Sequence, residues 1–513
     1  MQSAPTSPTD WIVILPVILP LLGAALLLVL GSRIAPPIFA FAVTLVVGVA
    51  ECGLLQHVLT AGPLSMTMGR WLPPFGISFT ADAIGAGLAL TAAVVTLVVL
   101  VYAQENPAET EPRPALYALV LLLLAGVNGA FLTGDLFNLY VWFEVMLIAS
   151  FGLLAVSGTP QSLDATVKYG LINFIGTSLF LLALGLLYGA LGTLNMADII
   201  GKGAAAPPAI MASIAALLLV AFGIKSAAFP VNAWLPASYH TPPAVISALF
   251  GGLLTKAGVY ALLRILVLLL PLSRDLLQPV IALIAGATLI LAPLAALAET
   301  NLRRAIGYFL IGGIGATLAG IALPNLSGIG GATVYIVYSM LTISGLYLVA
   351  GTIERLTAET DIGRMGGLYA RHTLLAILFL LLVVTVAGVP PFLGFWPKLL
   401  LLQGAIERMP DAAALPLAAC LLLNAFLTLI AGGRLWLLIF WRDRPQPKEA
   451  GQELAPLGPS RGKVGLGAAA FLTLLILLAG LWPAPLLSLG HAAAAGLLDP
   501  SAYIAAVGLG GGQ

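Results

Sequence analysis

The sequence predicts an all-α integral membrane protein with about fourteen transmembrane helices, and two observations support this prediction. Hydrophobic residues make up 60% of the 513-residue chain and charged residues only 8%, whereas a soluble globular protein carries about 25% charged residues. Runs of about 20 apolar residues, the length that spans a bilayer, also recur along the chain. Too few polar groups are present to cover a water-facing surface, so we expect lipid to surround most of the protein.

The apolar runs are bounded by charged residues, proline or glycine. We place them at residues 11–32, 35–58, 82–103, 115–133, 136–157, 166–191, 207–228, 243–268, 277–298, 304–323, 331–352, 373–403, 413–441 and 465–487. Proline and glycine interrupt residues 60–81 too often for a spanning helix, and we expect an extramembrane loop or a hairpin there. We also expect a flexible loop at 442–464, the longest polar segment, and disorder at the last residues, 507–513.

The composition excludes several classes of function. The net charge of +1 argues against a nucleic-acid partner, because nucleic-acid binding normally needs a basic face. Both cysteines lie in apolar runs and the four histidines do not cluster, so we expect no metal site. The sequence has no haem motif, flavin signature, cysteine ligand set or glycine-rich dinucleotide fingerprint. We therefore expect no cofactor, no catalytic residue and no enzymatic activity.

The distribution of lysine and arginine predicts the orientation of the helices. If the N-terminus lies outside, the loops on the cytoplasmic side hold 13 of the 22 basic residues and the outer loops hold 4. Cytoplasmic loops of membrane proteins carry an excess of Lys and Arg. The bias therefore predicts that both termini lie outside, with an even number of helices.

A small set of ionisable residues lies inside the apolar runs, where a charge costs about 2.5–3.5 kcal/mol on insertion scales. These residues are Glu144, Lys225, Lys256 and Lys398. They could form structural ion pairs, but one glutamate cannot neutralise three lysines. We therefore predict a row of buried sites that moves protons or cations across the bilayer. Arg264 and Arg434 lie nearer to the ends of their runs, and we expect their side chains to extend to the membrane interface.

Prolines interrupt two of the runs that carry these lysines. Pro230 and Pro236 follow Lys225, and Pro390 and Pro391 precede Lys398. Proline breaks a helix, and the freed backbone groups must face protein or water. We therefore expect the seventh and twelfth runs to be discontinuous helices beside a wet cavity.

The two broken runs lie five runs apart, and this odd offset predicts an inverted repeat. We expect a first unit of helices 4–8 at residues 115–268 and a second unit of helices 9–13 at residues 269–441. Residues 1–114 would hold helices 1–3 and an outer loop. Residues 442–513 would hold a cytoplasmic loop, helix 14 and the C-terminal tail.

The positions of the breaks have an electrostatic consequence. Lys225 would close the first half of its helix, where the helix dipole favours a cation, and Lys398 would open the second half of its helix, where the dipole disfavours one. Lys398 is therefore our best candidate for a lysine that releases its proton during a transport cycle.

Three long segments resemble the antiporter-like subunits shared by respiratory complex I and the Mrp multisubunit cation/proton antiporters. They are GDLFNLYVWFEVMLIASF at 134–151, GIKSAAFPVNAWLPASYHTPPAVISALFGGLLTKAGVY at 223–260, and GVPPFLGFWPK at 388–398. The resemblance covers runs 3 to 13. GDLFNLYVWFEV and ERLTAETDIGRMGGL, at 354–368, are most similar to the D-type subunit of the Mrp antiporters.

The resemblance implies roles for individual residues. Glu144 and Lys225 would form an interacting acid–base pair, Lys256 would link the first unit to the second, and Lys398 would end the proton relay. His240 matches a family histidine near the relay, although it could also be a loop residue that bonds backbone carbonyls. The resemblance also implies a place in the inner membrane of a bacterium, partner subunits of an Mrp complex, and transport of protons and Na⁺.

The eleventh run departs from the family pattern, which often has a histidine or a lysine there. Ile343 stands where we would look for the lysine, so a relay across this run would need hydroxyl groups and water. The polar candidates for such a water wire are Tyr338, Ser339, Thr342, Tyr308 and Asn424. Tyr308 and Asn424 could equally be structural.

Two alternatives to an antiporter protein stay open on the sequence alone. The chain could be a membrane-arm component of a redox complex, such as complex I or a membrane-bound hydrogenase. It could also be a passive structural component of a complex, although the buried charges argue against that.

Overall fold

The computed structural model describes residues 8–68, 71–104, 114–409, 411–444 and 463–509. These residues form helices with a single small β-hairpin. The helices are α1 (Leu15–Leu30), α2 (Pro36–Ala61), α3 (Ala83–Ala103), α4 (Pro114–Leu132), α5 (Leu136–Ala155), α6 (Pro160–Leu191), α7 (Met196–Ala205), α8 (Pro208–Ser226), α9 (Trp234–Tyr239), α10 (Ala244–Leu269), α11 (Pro271–Ala298), α12 (Leu302–Ala322), α13 (Leu326–Thr357), α14 (Thr373–Ala387), α15 (Phe395–Glu407), α16 (Ala414–Trp441), α17 (Lys463–Leu481), α18 (Ala484–Leu498) and α19 (Ser501–Val507).

Twelve helices in the described ranges are long and apolar enough to cross a membrane. They correspond to every predicted run except the first and the twelfth, which form the shorter helices α1 and the α14–α15 pair. The all-α membrane fold is therefore confirmed, whereas the number fourteen stays a prediction. Most of the polar loop predicted at 442–464 and the end of the tail predicted at 507–513 lie outside the described residues.

The segment at 60–81 contains the hairpin, in which β1 (Leu64–Thr67) pairs antiparallel with β2 (Ser78–Ala81). The N-terminal 3₁₀ turn, Pro8–Val13, and the C-terminal helix α19 both pack against β1. The two terminal segments described by the structure therefore lie at the same end of the protein.

The helices alternate in direction, as contacts between their ends show. At the hairpin end, the segments between α4 and α5 and between α6 and α7 meet in an isolated bridge, Asp135↔Asn195. At the opposite end, the segments before α12 and after α13 meet in a second bridge, Asn301↔Asp361. Arg442 donates to the backbone carbonyls of Ile362, Gly363 and Met365 at this second end.

Helix α13 forms the centre of the protein. Every residue from Ser327 to Ile353 is buried, and the helix contacts α3, α10, α12, α14, α15, α17 and α18. Peripheral helices such as α2 and α6 instead expose large apolar side chains, including Val49 and Phe174. The outer surface is therefore apolar, as a lipid-facing or subunit-facing surface must be.

Both predicted helix breaks are present. Helix α8 ends at Ser226, and the chain resumes as α9 at Trp234; helix α14 ends at Ala387, and the chain resumes as α15 at Phe395. Residues 227–233 and 388–394 between the halves are irregular. The proline clusters in the sequence thus identified the discontinuous helices correctly.

Helix α18 and the π-helical turns of α10 are among the features that were not predicted. Helix α18 is an additional apolar helix of 15 residues that packs against α13 and α3 near the hairpin end. Helix α10 contains two π-helical turns, Phe250–Leu254 and Arg264–Leu269. Such turns are rare and often occur at functional sites.

Candidate functional site

Lys225 lies in the last turn of α8, directly before the first helix break. Ala227 adopts a left-handed conformation (φ 60°) that ends the helix. The lysine is 6% exposed, and its Nζ donates a hydrogen bond to Thr177 Oγ1 of α6 at 2.8 Å. Nζ also lies 4.9 Å from the centre of the Phe143 ring, so a hydroxyl group and an aromatic face surround the ammonium group.

Glu144 follows Phe143 on α5 and is half-buried. Its Oε1 is buried without a hydrogen-bond partner in the described part of the chain. The carboxylate is close enough to Lys225 for an electrostatic interaction, but the two side chains form no direct ion pair among the described residues. The structure thus brings the predicted acid and base near each other, with the Phe143 ring beside the ammonium group.

A small cavity lies beside Lys225 at the first helix break. Its volume is about 20 Å³ for the centre of a water molecule, and roughly 10–15 Å³ is needed for one water. The cavity is lined by Phe143, Met146, Leu147, Tyr169, Asn173, Lys225, Trp234, Tyr239 and Leu254. The cavity lies beside the first of the two broken helices, and side chains with polar groups, among them Tyr169, Asn173 and Tyr239, line it.

Lys256 lies directly after the first π-helical turn of α10 and is 3% exposed. Its Nζ donates to the carbonyl oxygen of Gly251 at 2.7 Å and to Thr255 Oγ1 at 3.4 Å. The π turn therefore provides the backbone acceptor for the ammonium group. Gly258, on the same helix, packs against the backbone of Lys225 and Ser226, so the helices that carry the two lysines touch near both side chains.

Glycines of the π turn pack tightly against α13. A Cβ atom at Gly252 would lie 2.3 Å from Ser344 Oγ, and a Cβ atom at Gly251 would lie 2.9 Å from Ile343 and 2.7 Å from the Tyr347 ring. Ser344 Oγ also donates to the carbonyl oxygen of Ala248 at 2.9 Å. Ile343, where the family pattern suggested a lysine, therefore lies in a tight contact between α10 and α13.

Lys398 lies in the first turns of α15, after the second helix break, and is 5% exposed. Its Nζ donates to the carbonyl oxygens of Val386, at 3.0 Å, and Ala387, at 2.7 Å. These carbonyls end α14, where the helix dipole favours a cation. The sequence predicted that the dipole of α15 disfavours a cation at Lys398. Because the Lys398 side chain reaches back to the C-terminus of α14, the dipole of α14 offsets this effect.

The predicted hydroxyl groups of Tyr338, Ser339 and Thr342 are all buried in α13. Tyr338 donates to the hydroxyl of Tyr335 at 3.3 Å, and Gly394 of the second break lies near the Tyr338 ring. Thr342 is buried, and its Oγ1 has no partner in the described residues. Ser339 is 5% exposed. Of these three side chains, Tyr338 is the one with a contact to the second break.

Asn424 and Tyr308 have different environments. Asn424 Nδ2 donates to the carbonyl oxygen of Leu289 at 2.7 Å, a group that lacks its helical partner because Pro293 has no N–H. This bond gives Asn424 a structural role. Tyr308 of α12 is half-buried.

His240 follows α9 at the end of the protein opposite the hairpin. Its Nδ1 is 2.8 Å from the carbonyl oxygen of Pro236. Burial lowers the pKa of His240, and the nearby cations of Arg304, Arg303 and Lys168 lower it further, whereas the bond to Pro236 opposes the shift. His240 therefore bonds a backbone carbonyl, which is the alternative role that we expected for it.

The prediction for Arg264 was wrong. Its side chain is 0% exposed and does not reach the interface; Nη2 pairs with Asp82 Oδ1 at 2.6 Å, and Nε donates to the hydroxyl of Tyr260 at 2.8 Å. The carboxylate of Asp82, which belongs to a different run, compensates the charge of Arg264. The run that contains Arg264 could not reveal this partner. Arg434 is partly exposed and donates to the carbonyl oxygen of Glu299 at 3.2 Å.

Sequence reasoning missed Thr177 and Glu51. Thr177 is an ordinary hydroxyl in an apolar run, and no sequence signal singled it out. Glu51 lies in the middle of the second apolar run and is 0% exposed, so its position alone could have identified it. Within the described ranges no group of His, Cys, Asp and Glu side chains could hold a metal ion.

The chain has relatives among characterised membrane proteins. Residues 133–423 match the family described as "NADH:quinone oxidoreductase/Mrp antiporter, TM". The chain is 36% identical over 501 residues to the D-type subunit of the Na(+)/H(+) antiporter of Bacillus subtilis (strain 168), and the match covers 96% of this chain and 99% of the relative.

Solved structures share the fold over nearly the whole chain. A chain of the Mrp complex from Dietzia sp. DQ12-45-1b superposes with a TM-score of 0.89 at 30% identity, covering 98% of this chain and 100% of that one. A chain of the membrane-bound sulfane sulfur reductase, an archaeal respiratory membrane complex, superposes with a TM-score of 0.86 at 26% identity, covering 97% and 100%.

Proposed function

The chain belongs to the NADH:quinone oxidoreductase/Mrp antiporter family of transmembrane proteins, and we propose that it is the proton-translocating subunit of a multisubunit Na⁺/H⁺ antiporter. The similarity to the D-type subunit of an antiporter over almost its full length supports this assignment. We infer that the chain is a transporter subunit and not an enzyme. Its partners would be the other subunits of an Mrp complex, and its location the plasma membrane of a bacterium.

The observation that best supports proton transfer is the state of the three buried lysines. Lys225, Lys256 and Lys398 are each less than a tenth exposed, and within the described ranges their ammonium groups bond only to hydroxyl and carbonyl oxygens. None forms an ion pair with an Asp or Glu side chain in the described part of the chain. A buried charge without a counter-ion is costly, so a role that uses the proton accounts for these residues better than a structural one.

The proposed mechanism couples neighbouring sites through their charges. When the Glu144 carboxylate approaches Lys225, it stabilises the lysine cation. When the carboxylate moves away, the ammonium group keeps only its bond to Thr177 and the Phe143 ring, and the proton passes towards Lys256. Lys398 would end the row, and the hydroxyl groups of Tyr338, Ser339 and Thr342 would support a water wire before it. His240 would belong to the relay, and Tyr308 and Asn424 are further candidates for the water wire, although the bond from Asn424 to Leu289 favours a structural role for Asn424.

The proposed units are residues 115–268 and 269–441, flanked by 1–114 and 442–513. The two isolated bridges support them. In each unit, Asp135↔Asn195 or Asn301↔Asp361 joins the segment after the first helix to the segment after the third helix, and the bridged residues are equally far apart in sequence. The backbone bonds around them also match, as the pairs Leu136 N to Leu194 O, Met196 N to Gly134 O, Leu302 N to Thr360 O and Ile362 N to Thr300 O show. One bridge lies at the hairpin end and the other at the opposite end, as an inverted repeat requires.

The hairpin end would face the outside. The loops at the opposite end carry most of the basic residues, among them Arg303, Arg355 and Arg442, and basic loops stay in the cytoplasm. Both termini would then lie outside.

The experiment that tests the proposal measures Na⁺-driven proton movement in everted membrane vesicles that contain the assembled complex. We expect Glu144→Ala and Lys225→Ala to assemble and to abolish antiport. Lys202→Ala is a matched control, since this lysine is exposed and pairs with Asp198 on the surface. Full antiport in both site variants would rule out the relay.

The alternative function is a membrane-arm component of a redox complex. The likeness to a chain of an archaeal respiratory membrane complex favours it. The neighbouring genes distinguish the two functions: genes for small hydrophobic antiporter proteins indicate an antiporter, whereas genes for iron–sulfur and quinone-site proteins indicate a redox complex.

A further inference from the structure

Glu51 is a buried acid that the relay does not use. Its side chain is 0% exposed, and it lies in α2 about 15 Å from the C-terminal end of that helix at 1.5 Å per residue. It shares the buried stripe of α2 with Val47 and Leu54, and α2 packs on α1, α3 and α4. The carboxyl group therefore points into the protein and not into lipid.

No hydrogen bond of ordinary geometry and no cation satisfies this carboxyl group in the described residues. Both oxygens of Glu51 are buried without a hydrogen-bond partner, and no described lysine or arginine pairs with it. The polar side chain that interacts with it is Asn128 of α4. An ionised carboxylate without a donor or a cation would carry the full cost of leaving water.

The orientation of Asn128 is fixed by a third helix. Its Nδ2 donates to the carbonyl oxygen of Pro16 at 3.0 Å, which lacks a helical partner because Pro20 of α1 has no N–H. The reverse orientation would place two carbonyl oxygens against each other. Asn128 Oδ1 is therefore a buried acceptor, and it has no donor in the described residues.

One proton on the Glu51 carboxyl group would satisfy both groups. We propose that Glu51 is a proton-binding site that is protonated in this conformation and donates its hydrogen bond to Oδ1 of Asn128. A metal cation would need more oxygen ligands than one carboxyl group and one amide oxygen, and the described residues contain no cluster of metal-binding side chains here. The ligand of this site is therefore a proton.

The site lies across α4 from the beginning of the buried row. Gly129, next to Asn128, packs directly on the Trp142 ring of α5. Trp142 Nε1 is a further buried group without a partner in the described residues, and Glu144 follows two positions later. Glu51 thus adds a proton site on the side of the first three helices, outside the two five-helix units.

Infrared spectroscopy of the full chain, purified with its native partners, tests the proposal. We expect the carbonyl stretching band of a protonated carboxylic acid, which disappears in Glu51→Gln and remains in Glu144→Gln. The band should shift in D₂O because the proton exchanges. Replacing Asn128 with leucine should shift the band by removing the acceptor, and this second variant keeps Glu51 itself if Glu51→Gln does not assemble.

Thr44→Val is the matched control, because Thr44 lies on the same buried stripe and bonds only to Ala40 of its own helix; we expect it to leave the band unchanged. A spectrum that Glu51→Gln does not alter would show an ionised Glu51 and overturn the proposal. A band that stays unshifted in D₂O would show a proton that never exchanges, and would overturn the site as well. Neither result depends on antiport, so they are separate from the test of the relay.

Discussion

The ammonium group of Lys398 donates a hydrogen bond of 2.7 Å to the carbonyl oxygen of Ala387, the last residue of α14. Gly388 follows with a φ of 86°, and a Cβ atom at this position would lie 2.7 Å from Lys398 Cδ. The glycine therefore provides both the left-handed turn and the space through which the lysine reaches the helix end. The two halves of the broken helix are joined by the side chain that is proposed to carry the proton.

Lys398→Arg should assemble but fail to exchange Na⁺ for protons. Arginine keeps the positive charge at the end of α14, but it cannot release a proton under physiological conditions. Lys398→Met should also be inactive, and it should lower stability by about 1–3 kcal/mol because buried carbonyls lose their donor. Antiport in everted vesicles and thermal unfolding of the purified complex measure the two effects. Lys202→Arg is the surface control, and normal antiport by Lys398→Arg would contradict the assigned role.

Gly252→Ala should destabilise the contact between α10 and α13. The new Cβ atom would lie 2.3 Å from Ser344 Oγ and 3.2 Å from Val95, and overpacking of this kind costs about 1–3 kcal/mol. We expect less assembled protein and a lower unfolding temperature, with partial recovery in Gly252→Ala combined with Ser344→Ala. Gly433→Ala is the matched control because no atom lies within 4 Å of its added Cβ. Equal stability of the two glycine variants would disprove this packing argument.

Asp82→Asn should be strongly destabilising because it leaves the Arg264 cation buried and unpaired. Removing one partner of a buried ion pair costs about 3–5 kcal/mol. Replacing both partners, as in Asp82→Leu with Arg264→Met, should restore most of the loss. Asp164→Asn, in the exposed pair with Lys168, should have little effect. Thermal unfolding of the purified protein measures all of these changes, and an additive loss in the double variant would show that the pair is not coupled.

Acidification should weaken the segment around His240. The lowered pKa of this histidine means that its neutral form is favoured in the folded protein, so this stabilisation is present above the usual value of about 6.5 and is lost as the pH falls. Protonation would add a cation beside Arg303, Arg304 and Lys168. Unfolding temperatures measured between neutral and mildly acidic pH should fall for the wild type and fall less for His240→Gln. Identical pH dependence of both proteins would exclude this contribution.

The membrane fold was predictable because lipid imposes a simple rule on sequence. Each apolar run became a helix or, in the twelfth run, a pair of half-helices. The prolines around Lys225 and Lys398 identified both breaks, since a missing N–H is a local property of the chain. Helix α18 was missed because its 15 residues are too few to span a bilayer.

The surroundings of the buried charges were not predictable in the same way. Arg264 appeared able to reach the interface until the structure placed Asp82, 182 residues away in sequence, beside it. Lys398 bonds carbonyls of the preceding half-helix, and Thr177 bonds Lys225 from another helix. Such partners depend on how distant segments pack, and a single sequence does not encode them as a visible pattern.

The small volume of the cavity beside Lys225 limits what the cavity can hold. A space of about 20 Å³ for the centre of a water molecule holds about one water, so a sodium ion with its hydration shell is too large to enter. A proton needs no such room, because it travels by exchanging one hydrogen bond for another. The space beside Lys225 therefore suits a proton carried by one water molecule and leaves no room for a hydrated sodium ion.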